Sequence, residues 1–475
     1  MDRGRPRASS SSPGVVPTAV SMDLVVRFPD TLRSERAYAA RVVFEEHLGL
    51  AHEVVFEDRL DVLVHPPGDR ARAVSLLDHV FADGEADWPA RARRPEPISD
   101  EVLSGSVQSG GTQPPGSGSR VRFSADVFGT VFWYLTRLEE ILSPARDAYG
   151  RFPAAASVDE SQQPCVDLLI DSFGHSLRAR WPALSLRRHA YEFVPTHDVD
   201  RPFKHLFQRP VKLLRGMARD ALVGGGPRAA LRAPLLRRNI QRGQLDLDPF
   251  NTFDWIMDFS ERHGKQSLFY FICGEGDDGI NGDYRIDDPR IRSLLRRVHA
   301  RGHGIGLHGT YESALDSTLL AREAEALRRV CEQERITLDR IRSRQHVLRF
   351  EPTRTISVWA DAAIDEDSTL GHAGRAGFRC GTCRPFPLFD VHRRRATTVM
   401  ERPLVAMDVT LLEPRYEGIS HEAALRRIDD LTNQCRLSGG SFVLLWHNCQ
   451  LEDKIARATY TQAFAAAAAT VESRA

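Results

Sequence analysis

The sequence predicts an α/β protein, with a parallel sheet or barrel in its second half and a smaller α+β unit before it. From about residue 186, apolar strand-like runs alternate with amphipathic helical runs, a pattern typical of parallel sheets. The preceding stretch contains a strand-like "RLDVLVH" and a longer helix-like segment, "SADVFGTVFWYLTRLEEILS". These two observations set the fold class.

Composition excludes several classes of protein. The chain has 475 residues, enough for two or three domains, and its 42% hydrophobic content is that of a globular protein. Its 64 basic and 64 acidic residues balance, so no global field favours nucleic acid or an anionic membrane. Seven cysteines, no export signal and no run approaching a membrane span predict reduced thiols and a cytoplasmic location.

Three segments are expected along the chain. Residues 1–22 contain prolines and a serine run, and we expect a disordered lead there. Residues 23–185 form the N-terminal α+β domain, interrupted by a flexible Gly/Ser/Pro-rich insertion at 104–119. Residues 186–475 form the barrel domain.

The individual elements follow from hydrophobic periodicity. In the first unit, apolar residues recur at helical spacing over 124–143, which predicts one continuous helix. Four strands are predicted in the second unit: "YEFVPT", "QSLFYFIC", "GIGLH" and "SFVLLWH". Three of its helices are predicted from their amphipathic faces and terminal glycines: "TFDWIMDFSERHG", "DPRIRSLLRRVHARG" and "HEAALRRIDDLTNQCRLSGG".

The stretch "PTHDVDRP" places two carboxylates at the end of an apolar strand. Asp198 and Asp200 share parity, so on a continuing strand both point to one face, whereas His197 points to the other. Aspartate is also common in capped, solvated turns, and this pair alone does not distinguish a turn from a site.

Further polar residues follow other strand-like runs. His308 ends "GIGLH", His346 and Arg349 lie in "SRQHVLRFEP", and His447 ends "SFVLLWH". Each alone has a structural explanation, such as a hydrogen-bonded core histidine or an ion-pair partner. Because the carboxyl ends of parallel barrel strands meet over one face, we expect them to lie together. An aspartate and two histidines around an open position suit catalytic zinc or a similar ion, and a further carboxylate and histidine suit base and acid.

Five motifs in order carry a family resemblance: "THDVDRP", "RGHGIGLHGTY", "RQHVLRFEPT", "DSTLGHAGRAGFRCGTCRPF" and "GGSFVLLWHN". Together they resemble the NodB-homology polysaccharide deacetylases. "YLTRLEE" and "DAYGRFP" resemble the N-terminal domain of unknown function found in one subgroup of that family. The resemblance implies an incomplete (β/α) barrel that hydrolyses an N-acetyl group on a sugar.

The resemblance also implies catalytic roles. Asp198 matches the general base, and His447 matches the general acid. Arg349 matches the residue that orients the base, and Asp367 falls near the fourth motif of the family.

The implied cofactor is a divalent metal ion, zinc in the first place, with cobalt, nickel or manganese as alternatives. Asp200 and His308 match two ligands. The family's second histidine ligand stands four residues after the first, where this sequence has Glu312. Either Glu312 supplies an oxygen ligand or His346 becomes the third ligand. We favour His346, because its ring restores the set of two histidines and one aspartate.

The expected function is therefore metal-dependent hydrolysis of an N-acetyl group on an amino sugar or a sugar-containing precursor. A carbohydrate is the expected partner. Two alternatives stay open at this point. One is hydrolysis of another linear or cyclic amide on the same barrel. The other is a barrel without catalysis that binds a glycan or a protein partner.

Overall fold

The computed structural model describes residues 23–99, 102, 121–157, 163–207, 226–274 and 280–469, with 226–233 as backbone only. The expected lead at 1–22 and the expected insertion at 104–119 lie outside the described residues. Within the described ranges, no helix combines the length and the apolar character needed to cross a membrane.

A five-stranded sheet occupies the first unit, with the strand order β2-β1-β3-β4-β5. Its strands are β1 (Leu24–Pro29), β2 (His52–Glu57), β3 (Val62–His65), β4 (Val74–Leu76) and β5 (Val121–Phe123). The described helices of this unit are α1 (Arg33–Arg41), continued by a π-helical stretch (Val42–Leu48), α2 (Val127–Thr136), α3 (Leu138–Leu142) and α4 (Cys165–Arg180). Parallel pairs (β1–β2, β4–β5) and antiparallel pairs (β1–β3, β3–β4) are mixed in it.

The helix predicted over 124–143 is present as two helices, because the chain breaks between α2 and α3 at Arg137. Arg137 has a φ of 56°, in the left-handed region that non-glycine residues seldom occupy. The break is stabilised by the buried side chain, whose Nε donates a 2.8 Å hydrogen bond to Glu140 Oε1. Periodicity does not report such a contact, and the spacing of the apolar residues continues across the break.

A curled nine-stranded sheet in the form of a half-barrel makes up the second unit, in the order β11-β12-β10-β9-β8-β7-β6-β14-β13. Its strands are β6 (Glu192–Val199), β7 (Leu268–Ile272), β8 (Gly304–Gly309), β9 (Arg342–Gln345), β10 (Glu366–Asp367), β11 (Phe386–Asp390), β12 (Arg395–Glu401), β13 (Ala406–Met407) and β14 (Ser441–Leu445). All neighbours pair in parallel except β11 and β12.

Helices alternate with these strands, as the sequence pattern predicts. The described helices are α5 (Gly226–Gln241), α6 (Phe253–Arg262), α7 (Pro289–Ala300), α8 (Ser317–Gln333), α9 (Thr355–Asp361), α10 (Asp408–Leu412), α11 (His421–Ser438) and α12 (Lys454–Ala468). Every residue of β7 and β14 is buried, which is the pattern of parallel strands covered on both faces. The four strands and three helices predicted for this unit are confirmed, with small shifts at their ends.

The two units are joined through buried polar contacts. Glu140 accepts hydrogen bonds from Nε (2.9 Å) and Nη2 (2.7 Å) of Arg379, in addition to the one from Arg137. The Tyr38 hydroxyl donates a 2.7 Å hydrogen bond to the carbonyl of Pro387 in the edge strand β11. The first unit therefore supplies a hydrogen-bond partner for one backbone carbonyl of this edge strand.

The Glu140 cluster predicts an acid-sensitive contribution to stability. Burial alone would raise the pKa of Glu140, but the guanidinium groups of Arg379 and Arg137 lower it from 4.5 to about 2. A depressed carboxyl pKa stabilises the fold above the unfolded value, and this stabilisation is lost as pH falls through the folded value. Glu140→Gln leaves the buried Arg379 without this carboxylate and Arg137 with only the more distant Glu139, at 3.5 Å, so we expect it to cost about 3–5 kcal/mol at neutral pH.

Urea unfolding of wild type and Glu140→Gln at neutral pH and at pH about 3 measures this contribution. The difference between the free energies of unfolding of the two proteins should be smaller at the lower pH. Glu422→Gln is the control, because that carboxylate is exposed and, among the described residues, pairs with Arg426 of its own helix. A gap that stays constant with pH would show that Glu140 does not act through its charge.

Candidate active site

The strand ends that carry the predicted site residues are brought together. β9, β8, β7, β6 and β14 are consecutive in the sheet, so their carboxyl ends share one edge. A cavity of about 210 Å³ opens at this edge. Five predicted residues line it: Asp198, Asp200, His308, His346 and His447.

Three of these residues converge on one point. Asp200 Oδ1 lies 3.3 Å from His308 Nε2 and 3.5 Å from His346 Nδ1. The two histidine nitrogens are 3.0 Å apart. All three atoms thus lie within 4.8 Å of one another, a spacing that suits ligands of a single ion.

Backbone carbonyls fix which histidine nitrogens face this point. His308 Nδ1 lies 2.8 Å from the carbonyl oxygen of Arg344, and His346 Nε2 lies 2.9 Å from that of Ile280. A carbonyl only accepts, so each of these nitrogens is the N–H donor. The lone pairs of the other two nitrogens then point at each other. A carbonyl behind each metal-binding histidine is the usual way to orient such ligands.

This arrangement fits a divalent metal ion. Two lone pairs and a carboxylate oxygen in close approach repel one another unless a cation or a proton lies between them. Asp200 Oδ1 is buried and receives no hydrogen bond of normal geometry from the described residues. Without an ion, a proton takes this place. Against the effect of burial, Asp200 raises the pKa of His346, and His346, His308 and His447 hold the pKa of Asp200 well below its usual range. Two imidazoles and one carboxylate form a common donor set for zinc.

Of the two alternatives for the third ligand, the structure brings His346 to the cluster. Glu312 is exposed, and its Oε2 accepts a 2.9 Å hydrogen bond from Asn281. Strand β9 ends at Gln345, and His346 begins a tight turn, so strand parity does not limit where its ring points.

The structure does not bring Arg349, which the resemblance matches to the residue that orients the base, to Asp198. Arg349 Nη1 donates a 2.8 Å hydrogen bond to the carbonyl of Tyr311, and its guanidinium lies 3.9 Å from the centre of that ring. Arg344 instead pairs with Asp198, with 2.9 Å between Nη1 and Oδ1, and both side chains are buried. Arg344 lies within β9, on the face of that strand that points inward. This alternation was the feature of the sequence that could have identified it as the partner of Asp198.

Asp408 is a second residue that the sequence reasoning missed. His447 Nδ1 donates a 2.8 Å hydrogen bond to Asp408 Oδ1, and the His447 backbone N–H donates to Oδ2 at 2.8 Å. Burial would lower the pKa of His447, but Asp408, helped by Asp200 and Asp198, holds it well above its usual range. Asp408 follows an apolar stretch, as the other site residues do, but its strand β13 has only two residues.

Two further residues of the sequence analysis lie away from the cavity. Asp367 is fully buried and accepts hydrogen bonds from the Ser343 hydroxyl and, at 2.7 Å, from the Thr369 backbone. Burial raises the pKa of Asp367 to about 6. Asp367, which falls near the fourth motif of the family and was a candidate catalytic residue, is not among the residues that line the cavity. His197 packs outward against Tyr460 of α12, as its parity predicts.

Comparison with known proteins gives one family match. Residues 24–182 match a family of unknown function, DUF7033. No curated protein sequence matches the chain.

Two solved structures are similar to part of the chain. A crystal structure described as a polysaccharide deacetylase from Mycobacterium smegmatis is 17% identical, with a TM-score of 0.37, over 59% of this chain and 85% of that chain. A crystal structure of Puue allantoinase is 12% identical, with a TM-score of 0.35, over 58% of this chain and 82% of that chain. At these TM-scores neither likeness assigns an activity.

The convergence of ligand atoms predicts metal binding that depends on named side chains. We expect about one divalent ion per purified chain, because one set of three ligands fits one ion. Asp200→Ala, His308→Ala and His346→Ala should each lose it, and Glu312→Ala should keep it. Elemental mass spectrometry after dialysis measures the content.

His392→Ala serves as the control for these variants, since that histidine is exposed and remote from the cluster. Retention of metal in His346→Ala together with its loss in Glu312→Ala would reverse the assignment of the third ligand.

Proposed function

We propose that this protein is a metal-dependent amide hydrolase that removes the acetyl group from an N-acetylated amino sugar or a sugar-containing precursor. The observation that carries the proposal is the convergence of Asp200, His308 and His346 on one point in the cavity that Asp198 and His447 also line. A metal-ligand set, a carboxylate base and a histidine acid are groups that can together catalyse amide hydrolysis.

Asp200, His308 and His346 would hold the ion, with zinc as the first choice. When bound, such an ion polarises the acyl carbonyl of a substrate and increases the acidity of the attacking water. The carbonyls behind both histidines support this role, because in each neutral ring they hold the proton on the far nitrogen and leave the near nitrogen to the ion.

Asp198 is the proposed general base. Its Oδ1 is held by Arg344 Nη1 at 2.9 Å, whereas Oδ2 lies 3.7 Å from His308 Nε2, on the side of the ligand cluster. A water molecule beside Oδ2 can therefore give its proton to Asp198 as its oxygen forms a bond to the acyl carbon. The fixed guanidinium keeps the second oxygen oriented for that transfer.

His447 is the proposed general acid. With Nδ1 bound to Asp408, the Nε2–H of the imidazolium is left for the cavity, where it lies 3.6 Å from Asp200 Oδ2. The raised pKa keeps this proton in place at neutral pH. As the carbon–nitrogen bond breaks, the leaving amine takes the proton from Nε2, and acetate and a free amino sugar result.

The substrate class rests on the sequence motifs and is tested directly. Acetate release is measured from N-acetylated sugars, including nucleotide-linked and oligomeric forms, alongside linear and cyclic amides that lack a sugar. Preferential turnover of an N-acetylated sugar supports the proposal. Turnover confined to the amides without a sugar would show that the substrate belongs to that class and is not an N-acetylated sugar. A protein that binds metal but hydrolyses no amide would favour a binding role.

Removal of either proton-transfer group should reduce turnover while leaving the metal bound. Asp198→Ala and His447→Ala are each expected to lower kcat by about 10²–10⁴-fold, because each removes one general acid or base. Steady-state kinetics on the best substrate of the panel and metal content are measured together. Turnover like that of wild type in a variant that retains metal would contradict the role of that residue.

Asp408→Asn tests the partner of His447. Since an amide holds the ring less well in its protonated form, kcat should fall by about 10–10³-fold, and less than in His447→Ala. Asp390→Asn is a matched control, because Asp390 is also a buried carboxylate at a strand end but lies on the edge strand β11. A larger loss in Asp390→Asn than in Asp408→Asn would indicate a general effect on folding.

A further inference from the structure

We propose that the first unit forms one wall of the cavity, and that Arg151 is a positioning residue for the turn that carries His346. The relevant part of the first unit is residues 143–157, here termed the closing segment. This inference rests on the proposed function only through the assignment of His346 as a metal ligand.

Arg151 links the closing segment to two loops of the second unit. It lines the cavity and is buried, with 6% of its surface exposed. Its Nη1 donates a 2.7 Å hydrogen bond to the carbonyl of Val347, and its Nη2 donates a 3.1 Å hydrogen bond to the Tyr416 hydroxyl. Its Nε donates at 2.8 Å to Asp147, which balances its charge within the same segment. One planar guanidinium thus fixes three groups at once.

The turn that Arg151 holds is strained. Val347 and Leu348, directly after His346, have φ values of 54° and 56°. Left-handed backbone is unfavourable for L-residues and especially for a β-branched one such as valine, so the surroundings must hold it in place. The Val347 carbonyl is where Arg151 binds, one residue from the ligand. Without that hydrogen bond, the turn can relax and carry the imidazole of His346 out of position.

Other contacts of the closing segment reach the same edge of the sheet. The Tyr311 hydroxyl, two residues beyond β8, donates a 3.3 Å hydrogen bond to the carbonyl of Tyr149. Arg146 Nη2 lies 3.1 Å from Glu351 Oε2, in the loop that follows the strained turn. The closing segment therefore contacts the loops after β8 and β9. His308 lies just before the first of these loops, and His346 lies in the second.

These contacts assign a role to the first unit. A half-barrel leaves its site open on one side, and the closing segment supplies a wall there together with a support for one ligand. Because the support acts on the free protein, its effect appears in metal affinity even when no substrate is present. That property separates positioning of a ligand from recognition of a substrate.

Arg151→Ala, Arg151→Lys and the control Arg146→Ala test the proposal in the full chain. Arg146 belongs to the same segment and also pairs with the second unit, but it does not line the cavity. Zinc affinity is measured by competition with a chelator, and folding is monitored by circular dichroism and thermal unfolding. We expect Arg151→Ala to bind zinc about 10–100-fold more weakly than wild type, as when a group that orients a ligand is lost.

Arg146→Ala should stay within about twofold of wild type, because its contact does not support a ligand. Arg151→Lys should recover little of the lost affinity, since an ammonium group cannot hold three acceptors in one plane. Wild-type affinity in Arg151→Ala or in Arg151→Lys, or an equal loss in Arg146→Ala, would overturn the proposal.

If Arg151→Ala does not fold, Asp147→Asn takes its place. This change keeps the size of the side chain and removes the negative charge that orients Arg151. It should lower zinc affinity in the same direction, and wild-type affinity would then overturn the proposal. A wild-type protein that binds no divalent metal would overturn both this inference and the proposed function. A wild-type protein that binds zinc but hydrolyses no amide would overturn the function alone.

Discussion

Arg344 is the residue on which the rest of the site depends. Its backbone carbonyl accepts the hydrogen bond of His308 Nδ1, and its buried side chain holds Asp198 and the Thr196 hydroxyl in β6. One strand position therefore sets the tautomer of a proposed ligand and the orientation of the proposed base. A buried guanidinium is tolerated because Asp198 pairs with it and further acceptors satisfy its remaining donors. Parallel pairing of β6, β7, β8 and β9 fixes the separation between these groups.

Charge in the cavity is divided between two sides. On one side Asp198 is paired with Arg344, and on the other His447 is paired with Asp408. Asp200 lies between them and is kept anionic by the histidines around it. A base that is a carboxylate and an acid that is an imidazolium can coexist only when each has its own partner. Because the two pairs are separate, the site can hold a carboxylate base and an imidazolium acid at the same pH.

The sequence predicted four of the nine strands in the larger sheet, because each is a local apolar run. It also predicted that polar strand ends cluster, because the carboxyl ends of parallel barrel strands meet over one face. The position of Arg349 depended instead on where β9 ends. A left-handed turn at Val347 and Leu348 redirects the chain there, and residue propensities oppose such a turn. Asp408 could not be predicted, because a strand of two residues is too short to show the alternation of apolar and polar residues that identifies a strand. Arg151 acts across 196 positions of sequence, and no pattern along a single chain reports that contact.

The break at Arg137 connects these features. Helix α2 ends at this break, and the short helix α3 that follows places Glu140 against Arg379. The closing segment begins directly after α3. The buried cluster of Glu140 with two arginines anchors that path on the second unit, so the segment can hold Arg151 against the strained turn. A straight helix over the same residues would satisfy the hydrophobic spacing but remove the left-handed turn at Arg137. The left-handed residues Arg137 in the first unit and Val347 in the second are therefore both held by hydrogen bonds that cross between the two units.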